Sequence, residues 1–329
     1  MKSFANANAR DLAQAVALSS RAHAENRSVS FAGGGSDLLA LVKDRILSPD
    51  IIVNLKTVKG LDQVTSSRDG ATIGALTTLD AISRHQAIRR DHAVLAEAAG
   101  SVATPQIRNV GTLGGNLSQR PWCWYFRNGF PCLKNGGTTC FSATGENQFH
   151  AIFGGGPSYI VHPSDTAPAL VALDATFRIV GPSGERTVPA SEFFVLPRED
   201  AKRENVLGPD EVLASVSVPA PRAGTRSRYH KILDREAWTH AVVSAAMVLE
   251  MDGDVCRRAR IVLGGVAPIP WRVPEAENVL AGQRVTPELA TKVGEAAIAG
   301  ARPLAKNGYK VPLTRNMVRR TLVELAARA

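Results

Sequence analysis

The fold of this chain is decided by two stretches of sequence, Phe31-Ala32-Gly33-Gly34-Gly35-Ser36-Asp37-Leu38 and Gly111-Thr112-Leu113-Gly114-Gly115-Asn116. We name them the first glycine loop (residues 31–38) and the second glycine loop (residues 111–116). A strand pattern precedes the first loop and a helical pattern follows it, an arrangement that aims backbone N–H groups at an anion. Consecutive glycines let the main chain approach a ligand, and successive N–H groups form an anion-binding nest. Both loops therefore suit a pyrophosphate.

Neither glycine loop matches a standard phosphate motif, because the first lacks the G-x-G-x-x-G spacing and no G-K-[ST] follows it. Two tight turns at strand ends are the alternative interpretation. As ligand sites, the loops gain possible side-chain hydrogen bonds from Ser36, Thr112 and Asn116. Asp37 suits the dipole of the following helix but would repel a phosphate placed close to it. We therefore expect Asp37 to cap the helix or to bind a ribose hydroxyl.

Composition excludes some classes of protein. The 329 residues are 44% hydrophobic and 21% charged, which is typical of a globular chain of two or three domains. No run of about 18 apolar residues occurs, and no apolar secretory segment follows Met1, so neither a membrane span nor a signal peptide is expected. The net charge of +9 invites a nucleic-acid interpretation, but the basic residues are dispersed, which favours a solvated surface or an acidic partner subunit.

The pattern of strands, helices and turns predicts three domains in an α+β chain. Residues 1–57 read as a small α/β unit, with a helix over 9–22 and Asn8 as its N-cap. Short alternating strands with intervening helices occupy 58–221. A link rich in proline and glycine ends that region, and an α+β domain follows over 222–329.

Three of the four cysteines lie close together, at Cys123, Cys132 and Cys140. Thiolates are natural ligands for iron–sulfur clusters and for zinc. Structural zinc sites usually contain a C-x2–4-C pair, which is absent here, so zinc is disfavoured. Reduced thiols with no shared task are the alternative interpretation.

Taken together, the two glycine loops resemble the FAD-binding middle subunit of the xanthine dehydrogenase family of molybdenum hydroxylases, and the likeness extends over essentially the whole chain. The resemblance implies an FAD-binding fold of two α/β subdomains followed by a C-terminal α+β domain. It implies that the first loop wraps the pyrophosphate and that the second loop forms an opposite wall. Further cofactor contacts are implied at an acidic, an apolar and a basic residue. The implied set is Phe31, Ala32, Gly33, Gly34, Gly35, Ser36, Asp37, Leu38, Gly111, Thr112, Gly114, Gly115, Asn116, Asp165, Leu213 and Lys231.

The segment at about 119–160, here called the cysteine insert, resembles an insert in the aldehyde oxidoreductase and 4-hydroxybenzoyl-CoA reductase types of this family. In those types the flavin subunit carries an extra [4Fe–4S] cluster. The resemblance implies that Cys123, Cys132 and Cys140 are ligands, with Ser158 near the position of the family's fourth cysteine. The Ser158 oxygen, His150, water or a missing iron all remain open for the fourth position.

The resemblance implies a subunit without catalytic residues of its own. A large molybdenum-cofactor subunit would oxidise the substrate, an aldehyde, and a small subunit with two [2Fe–2S] clusters would pass electrons to FAD. Asn116 and Lys231 would stabilise negative charge on reduced flavin. The chain would be cytoplasmic, or periplasmic by co-export with a signal-bearing partner. The alternatives are a stand-alone FAD-dependent oxidase and a basic nucleic-acid-binding protein with a Cys-rich finger.

Overall fold

A computed structural model describes residues 2–236 and 239–327, and it confirms the α+β class. The N-terminal unit is a parallel three-stranded sheet of order β1-β3-β2 with two helices. Its elements are β1 (Ala5–Asn8), α1 (Leu12–Ala24), β2 (Val29–Ala32), α2 (Leu38–Lys43) and β3 (Ile51–Asn54).

The predicted helix start at Asn8 is wrong. Residues 5–8 pair with β3 as a strand, and Asp11 is the N-cap of α1, since its carboxylate accepts a hydrogen bond from the Gln14 N–H at 2.7 Å. Four residues of polar and small side chains carry too weak a period to distinguish a strand from the first turn of a helix.

The second unit is built on an antiparallel five-stranded sheet of order β4-β5-β8-β6-β7. Helices cover one face of this sheet and form the largest hydrophobic core with it. Its elements are β4 (Val64–Ser67), β5 (Gly70–Gly74), α3 (Leu79–Arg84), α4 (Gln86–Asp91), α5 (Ala93–Gly100), α6 (Pro105–Val110), α7 (Leu113–Leu117), α8 (Trp124–Arg127), α9 (Thr166–Ala172), β6 (Thr176–Gly181), β7 (Gly184–Pro189), α10 (Ala190–Phe193) and β8 (Val212–Pro219).

The C-terminal unit is an antiparallel sheet of order β12-β11-β10-β9, with β13 also pairing with β11. Three helices pack on it around a second large core. Its elements are β9 (Thr225–Ile232), β10 (Val243–Asp252), β11 (Val255–Gly264), β12 (Trp271–Arg272), α11 (Pro274–Leu280), β13 (Gln283–Arg284), α12 (Pro287–Ile298) and α13 (Lys310–Ala326).

Loops and helices from all three units line one cavity. The first glycine loop leaves the N-terminal sheet after β2, and the second lies between α6 and α7 of the second unit. The predicted domain boundaries at 57/58 and 221/222 fall between the sheets, and the domain division stays a prediction. Of the helices in the described residues, none is both long enough and apolar enough to cross a membrane.

Candidate functional site

A cavity of about 460 Å³ lies where the two glycine loops, the cysteine insert and the C-terminal unit meet. Each of these four parts contributes residues to its wall. The lining includes Ser36 and Asp37 of the first loop, Gly111, Thr112, Gly115 and Asn116 of the second, Trp122, Cys123, Phe149 and His150 of the insert, and Asp165, Asp234, Thr239 and His240.

The two glycine loops contact each other directly. A Cβ atom added to Gly34 would lie 1.9 Å from the Val110 carbonyl oxygen, and one added to Gly33 would lie 2.8 Å from the Thr112 hydroxyl oxygen. Real Cβ atoms do not approach other atoms so closely, so both positions require glycine for the loops to meet.

The first glycine loop offers unused hydrogen-bond donors. No backbone N–H of residues 33–38 donates to an acceptor among the described residues. Gly35 has a positive φ of 74°, a conformation that glycine adopts without strain. Ser36 and Asp37 line the cavity, and free backbone N–H groups in such a loop are suited to an anion with many acceptor oxygens.

The second glycine loop, by contrast, uses its donors internally, so the expectation that both loops form an N–H nest is wrong for this one. The Gly114 N–H donates to the Ala75 carbonyl at 2.7 Å and the Leu113 N–H to that of Thr77 at 3.0 Å. The Gly111 N–H donates to the Ile107 carbonyl at 2.6 Å, and Thr112 caps α7 by accepting from the Gly115 N–H at 3.2 Å. Apart from the Thr112 N–H, which donates to no acceptor among the described residues, this loop is a scaffold that presents side chains rather than backbone groups.

The side chain of Asn116, in the second loop, is fixed by two hydrogen bonds. Its Oδ1 accepts hydrogen bonds from the Ser164 and Thr166 hydroxyls, both at 2.6 Å. Such short distances are typical of O–H···O bonds, so the carboxamide oxygen faces the hydroxyls. The Ser164 oxygen already accepts from the Ala167 N–H at 3.0 Å, which leaves its proton free to donate. The Nδ2 donor of Asn116 is thereby left for a ligand in the cavity that this residue lines.

Asp165 lines the cavity and is anchored to β9 by two hydrogen bonds. Its Oδ1 accepts from the Tyr229 hydroxyl at 2.6 Å, and its Oδ2 forms an ion pair with Lys231 Nζ at 2.7 Å. Burial, reinforced by the Asp165 charge, raises the pKa of Tyr229 well above its usual value. Lys231 also donates to the Ser101 carbonyl at 3.0 Å. The lysine therefore holds Asp165 in place and is not itself among the lining residues.

Asp37 stands at the N-cap position of α2, but its side chain accepts no N–H from that helix. Its carboxylate instead binds the cysteine insert: Oδ1 accepts from Arg127 Nη2 at 2.7 Å, and Oδ2 accepts from the Arg120 backbone N–H at 2.9 Å. The predicted side-chain capping is wrong, since both carboxylate oxygens are hydrogen-bonded to residues 83 and 90 positions away in the chain.

The remaining predicted cofactor residues are not among those that line the cavity. Leu213 lies on β8 and is buried in the core of the second unit. This position fits the alternative interpretation, in which Leu213 is a core residue and not a flavin contact. The predicted cofactor residues outside the lining are Phe31, Ala32, Gly33, Gly34, Gly35, Leu38, Gly114, Leu213 and Lys231. Their cofactor roles stay predictions.

The cysteine insert does not have the arrangement of a metal centre. Among the described residues, no three His, Cys, Asp or Glu side chains are grouped as metal ligands. The Cys123 thiol lies 3.3 Å from His150 Nε2, Cys140 lies 3.1 Å from the Ser142 hydroxyl, and Cys132 is buried against Leu41 and Phe126. Burial, with a smaller effect of Cys140 and Cys132, raises the pKa of Cys123 to about 11.

Iron is bound by thiolates, and the burial that raises the pKa of Cys123 disfavours its thiolate. Ser158, the expected fourth position, is buried, and none of the hydrogen bonds found among the described residues joins its side chain to a cysteine. The arrangement of the described residues therefore gives no support to the cluster that the resemblance implied.

Several residues of the site were not predicted from the sequence. Trp122 and His240 both line the cavity, with ring centroids 5.3 Å apart, and burial lowers the pKa of His240. Thr166 and Arg127 orient predicted residues without lining the cavity themselves. No local pattern marks them, because each acts on a partner at least 45 residues away in the chain.

The cavity has the features that a flavin dinucleotide requires. The unused N–H groups of the first loop match a pyrophosphate, and the Asn116 amide adds a fixed donor. Apolar side chains such as Leu79, Val102 and Ile107 line another part of the wall and suit an aromatic ring system.

Comparison with known proteins agrees with this geometry. Residues 2–221 match the family described as FAD binding domain in molybdopterin dehydrogenase, and residues 228–325 match the CO dehydrogenase flavoprotein C-terminal domain. The chain is 34% identical over 304 residues to the aldehyde oxidoreductase FAD-binding subunit PaoB of Escherichia coli strain K12, covering 91% of this chain and 92% of that one.

Two further relatives are carbon monoxide dehydrogenase proteins from Hydrogenophaga pseudoflava. The medium chain is 28% identical over 294 residues, covering 88% of this chain and 86% of the relative. A solved structure of the dehydrogenase lacking the Mo-pyranopterin moiety superposes with a TM-score of 0.78 at 27% identity, covering 99% of this chain and 98% of that chain. The chain therefore belongs to the FAD-binding subunits of the molybdenum hydroxylase family.

Proposed function

We propose that this chain relays electrons through FAD inside a three-subunit molybdenum hydroxylase that oxidises aldehydes. The observation that carries the proposal is the cavity between the two glycine loops, with its run of unused backbone donors beside a fixed Asn116 amide. The aldehyde class is taken from PaoB, the relative that is 34% identical over nearly the whole chain.

The chain's own residues have binding and orienting tasks. The first glycine loop would hold the pyrophosphate, and Asn116 would donate to an acceptor of the cofactor. Asp165 would present its carboxylate at the cavity wall, held by Tyr229 and Lys231. When bound, FAD supplies the redox chemistry, which joins single-electron transfers to a two-electron acceptor.

The partners in this proposal are a small subunit with [2Fe–2S] clusters and a large subunit with the molybdenum cofactor. The relatives are named as the FAD-binding subunit of an aldehyde oxidoreductase and as the medium chain of a dehydrogenase, so we assign substrate oxidation to a partner subunit. The complex would work in the cytoplasm, or in the periplasm if a partner carries an export signal. Fractionation of cells that express this chain together with its partner subunits would decide the compartment.

The experiment compares the isolated chain with the reconstituted complex. Each is purified, its flavin absorbance is recorded, and an aldehyde is added without oxygen. We expect both preparations to contain FAD and only the complex to lose flavin absorbance. Bleaching of the isolated chain by the aldehyde would instead identify a stand-alone oxidase. A colourless preparation with salt-dependent DNA binding would support the nucleic-acid alternative.

The [4Fe–4S] cluster stays a prediction with its own test. Iron and acid-labile sulfide are measured per FAD in anaerobically purified protein. If the insert holds a cluster, Cys132→Ser and Cys140→Ser lower both contents, whereas Cys256→Ser, on β11 in the C-terminal core, leaves them unchanged. Ser158→Ala tests the fourth position, and iron contents equal in all variants would refute the cluster.

A further inference from the structure

The carboxylate of Asp37 presents an electrostatic problem to the ligand of the first glycine loop. Asp37 lines the cavity and lies within the run of unused N–H groups at residues 33–38. A pyrophosphate held by those groups carries negative charge, and an unpaired carboxylate beside it would repel it.

The cysteine insert supplies the opposite charge. Arg127 Nη2 lies 2.7 Å from Asp37 Oδ1, and only 7% of the arginine side chain is exposed. No other ion pair of Arg127 occurs within the described residues, whereas the neighbouring cations Arg120 and Lys134 both pair with Glu204. The pairing of Arg127 with Asp37 is therefore specific.

Arg127 is also held in one orientation before any ligand binds. Its Nε donates to the Pro121 carbonyl at 2.9 Å and its Nη2 donates to that of Arg120 at 2.9 Å. Its guanidinium lies over the Trp122 ring, 4.2 Å from the centroid. A cation fixed in this way neutralises the carboxylate continuously.

We propose that Arg127 of the cysteine insert neutralises Asp37 and so makes the cavity selective for a flavin that carries a pyrophosphate. This role is independent of the cysteines, and it rests on the proposed binding of FAD in this cavity. Arg127 is a positioning residue, because it acts on the ligand through Asp37.

The test measures dissociation constants of FAD and of riboflavin, which has no phosphate, on protein stripped of its flavin. We expect Arg127→Met to weaken FAD binding by about tenfold or more, since a buried charge is left unpaired next to an anion. Riboflavin binding changes much less. The double variant Asp37→Asn with Arg127→Met restores FAD binding to within about threefold of the wild type, because the repelling charge is gone.

Lys134→Met is the matched control, since Lys134 lies in the same insert, is equally buried and pairs with Glu204 instead. It leaves the ratio of FAD to riboflavin affinity unchanged. An equal loss of both flavins in Arg127→Met, or a double variant as weak as the single one, overturns the proposal and assigns Arg127 a purely structural role in the insert.

Asp37→Asn alone keeps the test decisive if Arg127→Met does not fold. The proposal expects this variant to bind FAD at least as tightly as the wild type, because the arginine charge is retained without the carboxylate. A loss of about tenfold or more would make Asp37 a direct ligand, such as an acceptor for a ribose hydroxyl, and would overturn the proposal. Wild-type protein that binds neither flavin would instead refute the proposed function.

Discussion

The two glycine loops have similar compositions and lie against each other, yet they use their backbones differently. In the first loop, residues 33–38 donate no backbone hydrogen bond to the described protein. In the second, the N–H groups of Gly111 and of residues 113–116 all have partners within the protein. One loop offers its backbone to a ligand, and the other offers side chains from a rigid scaffold.

The difference shows that a glycine-rich stretch can serve a ligand or another stretch of backbone. Gly34 belongs to the loop with free donors, but the atom that requires glycine there is the Val110 carbonyl oxygen next to the second loop. The glycine therefore brings the scaffold up to the donor loop, and this contact fixes where the donors point.

The largest effect is expected for Gly34→Ala. A Cβ atom 1.9 Å from the Val110 oxygen cannot be accommodated without moving one loop away from the other. We expect FAD affinity to fall by more than about a hundredfold, because several hydrogen bonds to one anion are lost together. FAD content after purification and the affinity of the stripped protein measure the effect.

Gly100→Ala is the control, since its Cβ atom would meet only Ser83 Cβ at 3.5 Å, an ordinary contact. Both variants are compared by circular dichroism. If Gly34→Ala retained wild-type FAD affinity, the contact between the loops would have no part in positioning the donors.

Local chemistry in the sequence pointed to the two loops and to Asn116, and the family resemblance implied Asp165. Sequence reasoning could not predict how each hydrogen-bonding group is used. Lys231 is basic and near the site, but its pairing with Asp165 depends on β9 lying beside residues 162–166. Arg127 binds Asp37, which lies 90 residues away in the sequence. The N–H of Gly114 already donates to the Ala75 carbonyl. Composition shows which donors exist, and only the fold shows which remain free.

Leu213→Ala tests how far the core of the second unit supports the second glycine loop. Leu213 lies on β8, and the next residue accepts a hydrogen bond from Ala75, whose own carbonyl accepts from Gly114 of the second loop. Truncation of a buried leucine lowers the free energy of unfolding by about 2–5 kcal/mol. Urea unfolding measures this loss.

The same variant separates core packing from flavin contact. If Leu213 is a core residue, FAD affinity measured well below the unfolding transition stays within about twofold of the wild type. If stability is unchanged and FAD affinity falls, the result would support the apolar flavin contact that the resemblance implied.

Acid is expected to lower the free energy of unfolding through His162. Burial lowers the pKa of this histidine to about 3, and its Nδ1 accepts a hydrogen bond from the Ser164 N–H at 3.3 Å. Below pH 6.5 the unfolded chain gains a proton that the folded chain does not take up, so stability falls as the pH drops towards 3. At pH 5 the loss is about 2 kcal/mol.

His162→Gln removes this proton uptake. We expect the difference in unfolding free energy between wild type and variant to shift by about 2 kcal/mol in favour of the variant between pH 7 and pH 5. A difference that is the same at both pH values would contradict a neutral His162 in the folded state.

The smallest effect is expected for Thr166→Val, which removes one of the two hydroxyls on Asn116 Oδ1 and keeps the shape of the side chain. Ser164 still donates to that oxygen, so the amide is held less firmly rather than released. We expect FAD affinity to fall by roughly fivefold, which corresponds to one hydrogen bond of about 1 kcal/mol. Thr166→Ser keeps the hydroxyl and is expected to retain wild-type affinity. Equal affinities in the Val and Ser variants would mean that the second loop positions Asn116 through its backbone alone. The second loop would then not differ from the first by the use of fixed side chains.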